Sequence, residues 1–368
     1  MSDKKVYLIT LRVFLTCCSL FLFACGSSSD GSVNSSSETE EIVHPMDLDP
    51  EQFQKNIGWL DDETLLIHKG SNESHQFMSY NIFTGDFEEI YEEHAYILSV
   101  EISHTRDQIL FQEVSDEAIS LNVMDLSGNI LHSTPLHYSG YVTLDWNTVD
   151  PDLVFISHYD YDSEEEMETI LVQVWNTEEE TLTPKPIASL YPRWYSSNVY
   201  VYVDELEGRD LYIGDLREEN GDMVISRDAR DFFLHQDTFI GIVPSDINDH
   251  QVYLFHEYPF LVGDTVIEVP KVSMNDYPVK PHLTQSNRNG KILAVLPDEP
   301  VILEEELGTY TLSQLDFENE TVEEIIPLPY DAPICLSPDE NYVLYGWRYE
   351  YLIELDTGDM HSLVDISS

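Results

Sequence analysis

The chain is 368 residues long and carries 70 Asp and Glu against 17 Lys and Arg, a formal net charge of −53 at pH 7. That balance argues against nucleic acid, whose binding rests on Lys and Arg neutralising phosphates, and against adsorption to anionic lipid or wall polymer without bridging cations. An apolar share of 42% is enough for a sizeable core, so the chain reads as globular, kept soluble by its charge.

The N-terminus opens on a positive region, with Lys4, Lys5 and Arg12 against Asp3, followed by a nearly all-apolar run over 13–24. These are the n- and h-regions of a secretion signal. Extending the run back to Val6 brings in Arg12, which costs roughly 2.5–3.5 kcal/mol at a helix centre, so a spanning helix fits less well. The run ends in Leu22-Phe23-Ala24-Cys25, which resembles the bacterial lipobox, although Phe23 is bulkier than the usual residue there. The resemblance implies a diacylglycerol on the Cys25 thiol and cleavage between Ala24 and Cys25. An uncleaved anchor and a simple secreted chain are the alternatives.

Three segments are therefore expected: a lipoprotein signal peptide over 1–24, a lipidated Cys25 with a Ser/Glu-rich tether over 25–43, and a folded domain over 44–368. The tether lacks a periodic apolar pattern and cannot bury enough surface to offset its ordering entropy. Cys17 and Cys18 leave with the signal and Cys25 is lipidated, so Cys335 has no partner and the fold must stand without disulfides.

The folded region repeats. "WLDDETLLIHKG", "SHTRDQILFQEV", "DWNTVDPDLVFISH", "WYSSNVYVYVDE", "PSDINDHQVYLFHE", "SNRNGKILAVLP" and "LSPDENYVLYGW" each set a polar turn before an apolar strand. The strands begin near Leu65, Ile109, Leu153, Val199, Val252, Ile292 and Val343, at spacings of roughly 40 to 50 residues. A strand–turn–strand element follows most of them, as in "SYNIFTGDFEEI", "NVMDLSGNILH" and "IELDTGDMHSL", where Thr-Gly and Ser-Gly supply positive φ. The unit at Val252 lacks a clean copy and has "VIEVPKVSMNDYPV" instead. Such repeats predict an all-β fold, a β-propeller of six to seven blades, with the repeat count favouring seven. An irregular pair of β-sandwiches is the alternative. Residues 44–50 are expected along the outer edge of the last blade, closing the ring.

Motifs for chemistry are sparse. With so many acids, carboxylate pairs carry no information. "DYDSEEEMETIL" sets Asp160, Asp162 and Glu164 at alternate positions, but Glu165 replaces the Gly of a calcium loop and Leu171 its final Glu. A solvated acidic loop is expected there, with weak cation binding as the alternative. His132 and His137 read as surface or strand residues, and no His-Glu-x-x-His helix occurs. There is no Gly-x-Ser-x-Gly elbow, no Walker A loop and no dinucleotide fingerprint. Cys335, in "APICLSPDE", reads as a buried structural thiol. Trp59, Trp146 and Trp194 recur with the repeat, which favours packing between blades; together with Trp175, Trp347 and "YPRWYSSNVYVYV" they could otherwise line a sugar-stacking face.

"LSPDENYVLYGW" resembles the Ser-Pro-Asp-Gly units of the TolB and dipeptidyl-peptidase-like propellers rather than WD40 repeats. The whole layout, from lipobox through tether to Trp-marked repeats, resembles the YqgU-like lipoproteins of low-GC Gram-positive bacteria. That resemblance implies a propeller, six-bladed in that family, and no assigned activity. The expectation is a lipid-anchored protein on the extracytoplasmic face of the cell membrane. Its ring would act as a non-catalytic binding or scaffold module for a protein, peptide or cell-wall ligand, with no nucleic acid and no cofactor. The alternative is a hydrolase or lyase using carboxylates and a divalent cation in the central channel.

Overall fold

The computed structural model describes residues 42–365, except 73, 117, 163–166, 207, 219–220, 228–230, 237, 258–262 and 264. Cys25 and most of the expected tether lie outside the described residues. Strands and turns make up the described chain, with no helix.

Seven four-stranded antiparallel sheets follow one another along the sequence. They span 53–93, 96–135, 143–185, 193–226, 231–270, 283–328 and 334–362, and are numbered sheets 1 to 7 here. In each, neighbouring strands pair in chain order. A small three-stranded sheet, built from Val272–Met274, Tyr277–Pro278 and Val301–Ile302, sits beside sheet 6.

The pleat explains how the sheets stack. Successive side chains of a strand point to opposite faces, so a strand sandwiched between two neighbours is apolar at every position. In the second strand of sheet 2, Ile109 and Phe111 pack with Leu66 and Phe77 of sheet 1. The intervening Leu110 packs with Trp146 and Val154 of sheet 3. Sheet 7 behaves likewise: Val343 and Tyr345 meet Leu293 and Val295 of sheet 6. Tyr342 and Leu344 meet Leu65 and Ile67 of sheet 1. Seven apolar clusters each join one sheet to the next, and the last returns to the first. The ring is closed.

The first strands lie innermost, bonded to one another around the axis. Ser99 Oγ donates to the Val142 carbonyl at 2.7 Å, Trp194 Nε1 to the Asp145 carbonyl at 3.0 Å, and Trp59 Nε1 to the Cys335 carbonyl at 3.2 Å. The links between sheets are short; only His94 and Ala95 separate sheet 1 from sheet 2. All first strands therefore start at the same end of the ring, called the upper end here. The second strands finish there, and the turns joining second to third strands lie there too.

One sequence expectation needs correction. Val252 belongs to the third strand of its sheet, Gln251–Glu257, because "PSDINDH" forms the turn after the second strand, Thr238–Pro244. The same Asp/Asn turn chemistry serves either turn, so the repeat signal falls one strand later in that unit. Residues 44–50 run beside the outer edge of the last sheet, as expected, without forming a strand of their own, and bridge it to the first: Met46 N donates to the Leu363 carbonyl at 2.7 Å and His44 N to the Ile82 carbonyl at 2.8 Å. The Thr-Gly and Ser-Gly turns are as expected, with Gly85, Gly128 and Gly358 at φ of 73°, 81° and 72°.

Candidate binding face

Most large apolar side chains left exposed fall at one end of the ring. Among the described residues, the exposed Tyr and Trp side chains are Tyr96, Tyr141, Tyr159, Tyr161, Tyr191, Tyr277 and Trp347, each 50% to 74% accessible. Every one belongs to the upper end. Tyr96 begins a first strand, and Tyr159 and Tyr161 finish the second strand Leu153–Asp162. Tyr141, Tyr191 and Tyr277 stand in links between sheets, and Trp347 follows the second strand Tyr342–Tyr345. No packing requirement of the ring explains this bias, since the lower turns are equally solvent-facing.

The other tryptophans do what their recurrence predicts. Trp59, Trp146, Trp175 and Trp194 are buried between sheets. Trp194 stacks on Phe155 with centroids 4.0 Å apart.

Along the axis below this face, three first strands place a charged cluster. Arg193 Nη1 donates to Asp145 Oδ1 at 2.6 Å, and Trp194 N donates to Asp145 Oδ2 at 2.8 Å. The Arg193 side chain is 40% accessible and that of Asp145 14%, so the pair opens to the channel. Burial raises the Asp145 pKa, opposed by Arg193. Glu101 lies beside them. Its carboxyl is pushed up to about 7, first by burial and then by the Asp145 charge. Trp146 N donates to Glu101 Oε1 at 3.5 Å, whereas Oε2 is buried without a hydrogen-bond partner. A carboxyl held half-protonated near neutral pH can give or take a proton. At the next sheets round, Lys280 Nζ reaches Asp231 Oδ1 at 3.1 Å.

Two clefts open on the upper face between sheets 1 and 2, of about 690 and 630 Å³. They meet at Ser71, Asn72, His75 and Tyr96, which line both. His75 Nδ1 accepts from Ile97 N at 3.1 Å, so that nitrogen carries no proton. His68 Nε2, 2.9 Å away, must then be the donor of the second bond. Both rings are neutral, and burial holds the His68 pKa down to about 3.

The residues singled out by sequence do not converge. The Cys335 thiol sits on a first strand, Ile334–Leu336, where burial pushes its pKa up to about 11, too high for a thiolate at neutral pH. His132 lies in an outer strand, Ile130–Pro135, and His137 in the link that follows. Asp160 is exposed near the upper end of its strand, and the side chains of 162–168 lie outside the described residues. Among the described residues no group of three or more His, Cys, Asp or Glu is placed to hold a metal. Sequence reasoning missed Glu101, Asp145 and Arg193. The acids were hidden among so many others; the scarcity of bases could have flagged Arg193, beside Trp194 in "YPRWYSS".

A family model described as a YqgU-like 6-bladed beta propeller domain matches residues 81–346. The match takes in five whole four-stranded sheets and parts of sheets 1 and 7, where the family description counts six blades. The uncharacterized lipoprotein YqgU of Bacillus subtilis (strain 168) is 22% identical over 99% of this chain and 98% of its own length. The crystal structure of the uncharacterized protein lmo1340 from Listeria monocytogenes EGD-e superposes with a TM-score of 0.78 at 20% identity, covering 89% of this chain and 99% of that one. An acylaminoacyl peptidase from Pyrococcus horikoshii gives 0.51 at 17% identity, over 86% of this chain and 54% of that one, a likeness of fold alone. The sequence match, the closed ring of four-stranded sheets and the full-length relative agree, and the chain belongs to the YqgU-like β-propeller family.

Proposed function

We propose that this protein is a membrane-anchored lipoprotein whose propeller is a non-catalytic recognition module, with its upper face as the binding surface. The single observation that carries this reading is the gathering of all seven exposed Tyr and Trp side chains of the described residues at one end of the ring. Exposed aromatics of that kind, on loops held by a rigid scaffold, are what recognition surfaces use. The lipobox at Cys25 and the name of the Bacillus relative support the anchor. In this reading 1–24 is the signal, 25–43 the tether and 44–368 the propeller, on the extracytoplasmic side of the cell membrane. The described chain begins beside the lower turn of sheet 1, where His44 bonds Ile82, at the end of the ring opposite the aromatic face. The occupant of the face would be a protein, a peptide or a wall fragment.

The test is crosslinking capture from native membranes with Tyr141→Ala/Tyr191→Ala and, as control, Val149→Ala/Leu126→Ala on the lower turns. The upper-face variant should lose its partner while melting within a few degrees of wild type; the control should keep it. Equal capture by both would overturn the reading. A second reading, a hydrolase or lyase, draws on Glu101, whose pKa near 7 suits an acid or base, and on the open Arg193–Asp145 pair beside it.

A further inference from the structure

Of the five tryptophans only Trp347 is exposed, at 60% accessible, and its turn is clamped. That turn joins the second and third strands of sheet 7, Tyr342–Tyr345 and Tyr351–Glu354. Gly346 takes a φ of 112°, and a Cβ there would strike the Glu350 side chain. Glu350 is buried: its Oε2 accepts from Arg348 N at 2.8 Å and its Oε1 from the Tyr330 hydroxyl at 2.9 Å. Arg348 Nη1 donates to the Phe53 carbonyl at 2.9 Å and ties the turn to sheet 1. A large ring presented to solvent on so fixed a turn loses little freedom when a ligand lies against it.

Two polar side chains stand beside the indole. His282, in the link that enters sheet 6, meets Trp347 with centroids 5.7 Å apart and planes at 89°. Its Nε2 is 3.7 Å from Oδ1 of Asp331, in the link from sheet 6 to sheet 7, too far for a hydrogen bond. Among the described residues no protein group hydrogen-bonds either side chain. Burial holds the imidazole down to about 4, hence neutral, and raises the Asp331 carboxyl to about 6, still mostly ionised at pH 7. The His282 side chain is 28% accessible and that of Asp331 22%, so both can be reached from outside. The rim of the indole therefore offers one N–H donor, one ring-nitrogen acceptor and one carboxylate acceptor.

That set selects a class of ligand. An anion would meet Asp331, a cation would leave the imidazole donor unused, and a wholly apolar ligand would dehydrate the carboxylate without replacing its bonds. A pyranose has a face of C–H groups for the indole and a rim of hydroxyls that donate and accept at once. One such hydroxyl can give to Asp331 and take from His282. We propose that Trp347, His282 and Asp331 form a binding site for an uncharged pyranose, with its C–H face on the indole and a hydroxyl shared between imidazole and carboxylate. The proposal rests on the recognition reading above and gives a ligand class to one part of the upper face.

Saturation-transfer NMR of the full chain, kept in a detergent without a sugar headgroup, tests it with the methyl glycosides of glucose, galactose, mannose and N-acetylglucosamine. At least one should bind, with a Kd of about millimolar for a single ring. Trp347→Ala should abolish the transfer and Trp347→Phe, which keeps a stacking face, should retain it. Asp331→Ala and His282→Ala should each weaken binding by about tenfold. The deoxy analogue lacking the shared hydroxyl should bind more weakly to wild type but equally well to wild type and Asp331→Ala, which a merely structural Asp331 would not produce. Unaltered melting would show that the variants fold. Silence from all four glycosides overturns the proposal, as does binding that survives Trp347→Ala. Transfer to choline in place of the sugars, lost in Trp347→Ala, would assign the indole to a cation and overturn it too. Trp347→Ala should still capture a partner held through Tyr141 and Tyr191, and Tyr141→Ala/Tyr191→Ala should still bind the sugar, so the two readings can fail separately.

Discussion

At the scale of single residues, the His68–His75 pair makes the ring sensitive to acid. A proton on His75 Nδ1 would break the bond it accepts from Ile97 N, whereas His68 keeps its Nε2–H donor when charged and is held neutral by burial. The folded His68 pKa is about 3 against an ordinary value of 6.5, and His282 is held down to about 4, also by burial. A histidine depressed in the fold takes up its proton more readily when unfolded. Its contribution is therefore whole above pH 6.5 and is lost as pH falls from there towards the folded value. Each such group removes up to about 1.4 kcal/mol per pH unit across that window. His68→Gln keeps a donor for His75 and does not titrate. Melting temperatures at pH 7 and pH 5 should fall less for this variant than for wild type, with His282 supplying part of the remaining slope. Equal falls would show that the pair does not stay neutral.

At the scale of elements, the strands that carry the core were legible and those that carry the charged cluster were not. "QILFQEV" and "YVLY" announce themselves because both faces of a second strand are buried. First strands such as "TLDW" and "RW" are short and mixed, since one edge meets the channel. Nothing in the spacing of Glu101, Asp145 and Arg193 shows that three sheets bring them together. The fifth unit failed for a related reason: its turn signal was real but belonged to a different turn. Glu101→Gln tests the electrostatics of these strands. A carboxyl raised to about 7 in the fold favours folding below its unfolded value of 4.5, and that contribution disappears as pH rises through 7. The amide copies the protonated acid, so the variant should match wild type in melting temperature at pH 5 and exceed it at pH 8. Were the second reading right, the same variant would also lose turnover; a purely structural carboxyl would change only the pH profile.

At the scale of the molecule, charge and anchor have to be weighed together. A chain with 70 acids and 17 bases has no electrostatic attraction for an anionic leaflet, which draws in polybasic segments and repels this one. None of the described residues forms a helix long and apolar enough to cross a membrane. In the proposed reading membrane attachment rests on acyl chains at Cys25, and two chains anchor stably where one binds only marginally. The consequence is an all-or-none response. Cys25→Ser should leave the protein either wholly in the soluble fraction, if another peptidase trims it, or as an unprocessed precursor held by its leader. Partial release, of the kind a residual surface affinity would give, is not expected at any salt concentration. Fractionation of wild type and Cys25→Ser in low and high salt, with a gel reading of precursor against mature length, separates these outcomes. A variant that fractionates and migrates as wild type does would overturn the anchor, and would return the apolar run at 13–24 to the alternative of an uncleaved membrane segment.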